Sequence, residues 1–145
     1  LRDADLDLVA DAEGITGMIS QVTLRVMRLT GIQTLALAVY DAYAFQLLLQ
    51  ALIDRRLPIW SMSFINPKMA EMKNEAPLRE HHGHPVEQRI ILPKAYILTL
   101  AFRDADATAV QSAIPGIAAA TGAEILSDEI ARHEWDGRFK LMTIK

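Results

Sequence analysis

Hydrophobic and polar positions change period several times along this chain, and each change marks an element. From Ser20 to Arg28 apolar residues recur at alternate positions, with Val22, Leu24 and Val26 on one side and Thr23, Arg25 and Met27 on the other. That is the pattern of a strand with one wetter face. Thr30-Gly31 interrupts it, and Thr34–Tyr40 comes next as a short, nearly continuous apolar run suited to an inner strand. Asp41 is placed to cap a helix over Ala42–Arg56, whose apolar stripe is Phe45, Leu48, Leu49 and Leu52. Leu57-Pro58 stops that helix, and Ile59–Ile65 alternates again as a strand.

The second half repeats the scheme with an interruption. Asn66-Pro67 predicts a capped helix with proline in its first turn, running to about Asn74. Glu75–Gln88 is polar and holds two prolines and a glycine, which predicts a long surface loop, and Arg89–Leu92 predicts a minor strand. Ala95–Phe102 is a third main strand, and Asp104 is placed to cap a helix whose stripe is Val110, Ile114 and Ile117. Pro115-Gly116 inside that stripe predicts a kink or split. Gly122 suits the helix end, Ala123–Ser127 a fourth strand, Asp128–Trp135 another short helix ended by Gly137, and Arg138–Ile144 an extended tail. From Thr34 to Ser127 the order is β-α-β-β-α-β, which predicts an α+β fold: a ferredoxin-like antiparallel sheet with helices on one face, preceded by an N-terminal strand segment.

Composition narrows the function classes. The chain has 145 residues, 51% of them hydrophobic and 23% charged, which is enough for one packed domain. A net charge of −3 gives no basic excess for nucleic acid. No apolar run approaches the ~20 residues of a membrane span, and no N-terminal segment reads as a signal peptide. Cysteine is absent, which removes disulfides, thiolate metal sites and cysteine nucleophiles and leaves a cytoplasmic location as the default. The chain opens without methionine and stops within a strand-like run, so a fragment of a longer protein is expected.

Few residues carry an explicit chemical signal. His81, His82 and His84 could bind a metal ion, but no completing ligand set stands near them, and a solvated loop is the simpler reading. His133, Glu134 and Asp136 could serve as an acid–base group, but the end of a solvated helix is the expected reading. The serines lack a nucleophile elbow, and no Walker loop or Gly-x-Gly-x-x-Gly occurs. Two positions are less ordinary. Gly14 and Gly17 come after the acid Glu13, a spacing that lets a turn bring backbone N–H groups close to a ligand, although on these residues alone a turn opening a strand is the simpler reading. Arg138 stands three residues after Trp135, where its planar fork could hold a carboxylate.

These features line up, in order, with a known family. The run Ala12-Glu13-Gly14-Ile15-Thr16-Gly17-Met18-Ile19-Ser20 resembles the Gly-Ser-Glu-Gly-Thr-Leu-Gly-Ile-Ile-Thr motif of FAD-linked oxidases, the relatives of glycolate oxidase, D-lactate dehydrogenase, D-2-hydroxyglutarate dehydrogenase and vanillyl-alcohol oxidase. The β-α-β-β-α-β region matches the place of that family's cap domain, and Trp135 with Arg138 matches its Trp-x-x-Arg. Asp11, Ala12 and Thr16 depart from the motif, and Asp11 would repel a pyrophosphate. The resemblance implies that residues 1–31 are the edge of an FAD-binding domain and residues 32–145 the substrate (cap) domain and the start of the next segment. It further implies that Glu13, Gly14, Ile15, Gly17, Met18 and Ile19 line FAD, and that Arg138 and Trp135 bind a hydroxy-acid substrate. The expected partners are that substrate and the remainder of the FAD-binding domain, with a homodimer possible; no catalytic base and no metal ligand are expected within the chain. The competing expectation is a free-standing ferredoxin-like module that binds a small molecule or dimerises.

Overall fold

The computed structural model describes residues 30–76 and 89–138, together with Gln21, Thr23 and Val26. The expected turn at Gly14 and Gly17, the strand over Ser20–Arg28 apart from those three residues, the histidine loop and the tail beyond Arg138 lie outside the described residues. In chain order the elements are β1 (Ile32–Val39), α1 (Ala42–Arg55), β2 (Ser61–Ile65), α2 (Pro67–Glu75), β3 (Tyr96–Arg103), a single 3-10 turn (Asp104–Asp106), α3 (Ala107–Thr121), β4 (Glu124–Ile125) and α4 (Asp128–Gly137). The four strands form one antiparallel sheet in the order β2-β3-β1-β4, so the fold is α+β.

The two central strands explain the arrangement. β1 pairs with β3 along its whole length, from Ile32 opposite Arg103 to Val39 opposite Tyr96. Neither strand alternates cleanly in sequence, because both faces of each are covered. Leu37, Val39, Leu98, Leu100 and Phe102 project to one face, where they meet Phe45, Leu48 and Leu52 of α1 and Val110, Ile114 and Ile117 of α3. Ala36 and Ile97 project to the other, where Ala70 of α2, Leu92 and Ala131 of α4 close a second, smaller core. The helices therefore lie on both faces, not on one. The reason is the parity of the strands: each central strand buries consecutive residues, so a single helical layer would leave Ala36, Ile97 and Thr99 in water.

Three further expectations are corrected. Arg89–Leu92 forms no strand. Its backbone is held by a side chain instead: the Asn74 amide donates to the Leu92 carbonyl and accepts from the Leu92 N–H, both at 2.9 Å, while Arg89 donates to the Asn74 and Ala76 carbonyls. α3 runs unbroken through Pro115, which sits on the exposed side while Ile114 and Ile117 are buried. The packing of that stripe offsets the lost hydrogen bond. Asp104 does not cap α3, because the 3-10 turn intervenes and α3 starts after Asp106 without a side-chain cap bond. The caps at Asp41 and Asn66 are present, each accepting from the N–H three residues on at 2.8 Å. Gly122 ends α3 in the left-handed region at φ 69°.

Asp104 has a different task. Its N–H donates to the Gly31 carbonyl at 3.0 Å, and its carboxylate accepts from Gln33 at 3.0 Å, so the entry to β1 is tied to the exit from β3. A β-carbon at position 31 would overlap that carboxylate. Gly31→Ala is expected to cost about 1–2 kcal/mol, through loss of the Gln33 bond and local displacement. In an Asp104→Ala background the same substitution should cost little, and denaturant unfolding of the four proteins of this cycle measures the coupling.

Candidate functional site

The second face of the sheet carries the polar residues of interest. Ser63, Thr99 and Ala36 stand in one row across β2, β3 and β1, since Thr99 is opposite both of the others. These are small side chains, and α4 lies against β1 and β3 above them with Ala131 fully buried. Ser127 caps α4 by accepting from the Ile130 N–H at 3.4 Å, and Asp128 and Glu129 in the first turn suit the positive end of the helix dipole.

Glu134 sits one turn beyond Ala131 on the same inward stripe and is only 5% exposed. A buried carboxylate requires a partner. Lys73 of α2 supplies it, donating at 2.6 Å, and the His133 Nδ1 lies 3.2 Å from the other carboxylate oxygen. The solvated helix end expected for His133 and Glu134 is thus corrected at Glu134, whose charge is inside and joins α4 to α2. Asp136, by contrast, is exposed. The signal was present in the chain as an acid on the buried side of an amphipathic helix, three residues after Ala131 and four after Ile130. Its cation, 61 positions earlier, was not legible.

Trp135 and Arg138 come directly after this anchored turn. The Arg138 guanidinium carbon lies 3.5 Å from the centroid of the Trp135 ring, and Nη1 also donates to the Trp135 carbonyl. A cation held over an indole in this way gains both electrostatic attraction and a fixed plane. The structure therefore brings together the pair that the sequence singles out, and adds a residue that the sequence pattern does not mark. The ring of Trp60 is 6.0 Å from that of Trp135, inclined at 57°. Trp60 immediately precedes β2, and its backbone N–H donates to the Ala101 carbonyl at 2.8 Å, so it rides on the end of the β2–β3 ladder. Nothing in the sequence links the two tryptophans, since only strand pairing and the placement of α4 bring them together.

The six expected flavin contacts, Glu13, Gly14, Ile15, Gly17, Met18 and Ile19, lie outside the described residues, as do His81, His82 and His84. Among the described residues no group of three acidic or histidine side chains is arranged to hold a metal ion, and no helix is long and apolar enough to cross a membrane. No known family, curated protein or solved structure matches this chain.

A second charged cluster lies on the outer surface of α2. Glu71 accepts from Lys68 at 2.7 Å and from Lys94 at 3.0 Å. Hydrogen bonds from the two ammonium groups, Lys68 first, lower its pKa from 4.5 to about 2.

These charges give two expected outcomes. Lys73→Met leaves Glu134 buried beside a neutral side chain and should destabilise the fold by about 2–4 kcal/mol in denaturant unfolding, with much of the loss recovered by adding Glu134→Leu. For Glu71 the folded pKa is depressed, so its contribution is complete above about pH 4.5 and is lost as pH falls through about 2. Carboxyl NMR titration should place its midpoint near 2 at low salt and nearer 4.5 in molar salt.

Proposed function

We propose that this chain is the substrate-cap region of an FAD-dependent oxidoreductase of the FAD-linked oxidase kind, acting on a 2-hydroxy acid of the glycolate or D-lactate type. The observation that carries the reading is the Trp135–Arg138 pair. The guanidinium lies over the indole at the end of a helix joined to α2 by the Glu134–Lys73 pair, next to a further exposed aromatic residue. A planar cation held this way is suited to a carboxylate, which it can meet with two parallel N–H groups. The strand order β2-β3-β1-β4, antiparallel throughout, supports a ferredoxin-like cap, with α2 and α4 as an added layer on the second face.

In this proposal Arg138 holds the substrate carboxylate, and Trp135 fixes the plane of the guanidinium and shields one side of it from water. Residues Glu13 to Ile19 contribute one wall of the flavin site, and the catalytic base comes from elsewhere in the protein. Bound flavin supplies the acceptor for the hydride that leaves the substrate α-carbon. A cytoplasmic location belongs to the same proposal.

The protein at its natural length should purify with a flavin absorbance spectrum that bleaches on anaerobic addition of a 2-hydroxy acid. Arg138→Ala should raise the apparent KM about 10–100-fold, the range of one charged two-pronged hydrogen bond, with a smaller change in kcat. A natural-length protein that binds no flavin, or an Arg138→Ala enzyme with unchanged KM, overturns the proposal. Ligand binding by a protein without flavin would instead favour the free-standing binding module.

A further inference from the structure

Trp60 is 52% exposed although its backbone is fixed at the end of the sheet. Two other exposed rings have partners that account for their placement. Tyr40 donates to Glu124 at 3.0 Å, which raises its pKa, and Phe64 packs on Phe45 with centroids 5.1 Å apart. Trp60 leans instead on the ring that carries a cation on its face.

An indole rigidly held in water offers a large apolar surface at little entropic cost, since ordering it has been met by the fold. The neighbouring cation selects what covers that surface. The Arg138 guanidinium carbon is 3.5 Å from the Trp135 centroid and the Trp60 centroid is 6.0 Å from the same point, so cation and outer ring are no more than 9.5 Å apart, within the length of one small molecule. Such a molecule has a carboxylate at one end and a ring or branched apolar group a few bonds away.

Resting on the proposed carboxylate role of Arg138, we propose that Trp60 and Trp135 form an aromatic wall that receives the side chain of the substrate. The preferred substrates are then 2-hydroxy acids bearing an aromatic or large apolar group, with glycolate and lactate as poorer ligands of the same site. Trp60 is a specificity-determining residue that touches the substrate body, and Arg138 serves every 2-hydroxy acid alike.

The test is anaerobic calorimetric titration of the natural-length protein, its flavin already reduced so that no hydride transfer accompanies binding, with phenyllactate and with lactate, repeated for Trp60→Ala, Trp60→Phe and Arg138→Ala. Phenyllactate should bind about tenfold tighter than lactate, the scale of one added aromatic contact. Trp60→Ala should bring the two affinities together, Trp60→Phe should keep most of the preference, and Arg138→Ala should weaken both ligands. If Trp60→Ala leaves the ratio of the two affinities at its wild-type value while Arg138→Ala still weakens both, the aromatic wall is wrong and the carboxylate role of Arg138 stands. If Arg138→Ala changes neither affinity, the carboxylate role fails and the aromatic wall with it. A change of molecular mass in sedimentation on substituting Trp60, without a change of the ligand ratio, would assign the ring to a protein contact and likewise overturn the proposal.

Discussion

The register of β1 against β3 is the constraint on which the rest depends. Eight residues of each strand pair without a break, and β1 over Ala36–Val39 and β3 over Ile97–Phe102 are buried on both faces. A slip of β1 by one residue would turn Leu37 and Val39 to the second face and bring Ala36 and Ala38 into the layer against α1 and α3. The two faces are not equivalent. One is lined with leucine, valine and phenylalanine and takes the apolar stripes of α1 and α3. The other carries Ile65 and Ile97 at one end and otherwise alanine, serine and threonine, which lets α4 approach the strands closely enough to bury a carboxylate.

That carboxylate links architecture to the site. Glu134 and Lys73 join the last helix to α2, and the next residue along the chain is Trp135. A buried ion pair seldom adds much net stability, but leaving one member alone is costly, so the pair fixes how α4 sits rather than how firmly the fold holds. The consequence is specific to Trp135 and Arg138. Their position relative to Trp60 is set by the depth and rotation of α4, which Ala131 and Glu134 determine from within.

Much of this was legible in the sequence, and what was not has physical causes. Asp41, Asn66 and Gly122 announced helix boundaries because capping is local chemistry. The strands at β1, β2 and β3 were legible from apolar runs and alternation. The two-sided covering of the sheet was harder to read, since Ala36 and Thr99 carry little hydrophobic signal and are buried by the helices that pack on them. Pro115 misled because tertiary packing outweighed a local penalty. Arg89–Leu92 misled because an asparagine side chain took the place of a neighbouring strand. At the candidate site, spacing drew notice to Trp135 and Arg138 and only the family resemblance attached a role to them, whereas Trp60 and Lys73 entered only through contacts between residues far apart in the chain.

The central claim is that α4 lies on the second face of the sheet and so sets Trp135 against Trp60. Both tryptophans of the chain belong to this pair, which makes their indole signals easy to assign. A nuclear Overhauser spectrum of the protein tests the claim directly. Cross-peaks between ring protons of Trp60 and Trp135, alongside contacts from Ala131 to Ala36 and Ile97, are the predicted result. Intact β1–β3 cross-strand contacts with no indole-to-indole contact would contradict it.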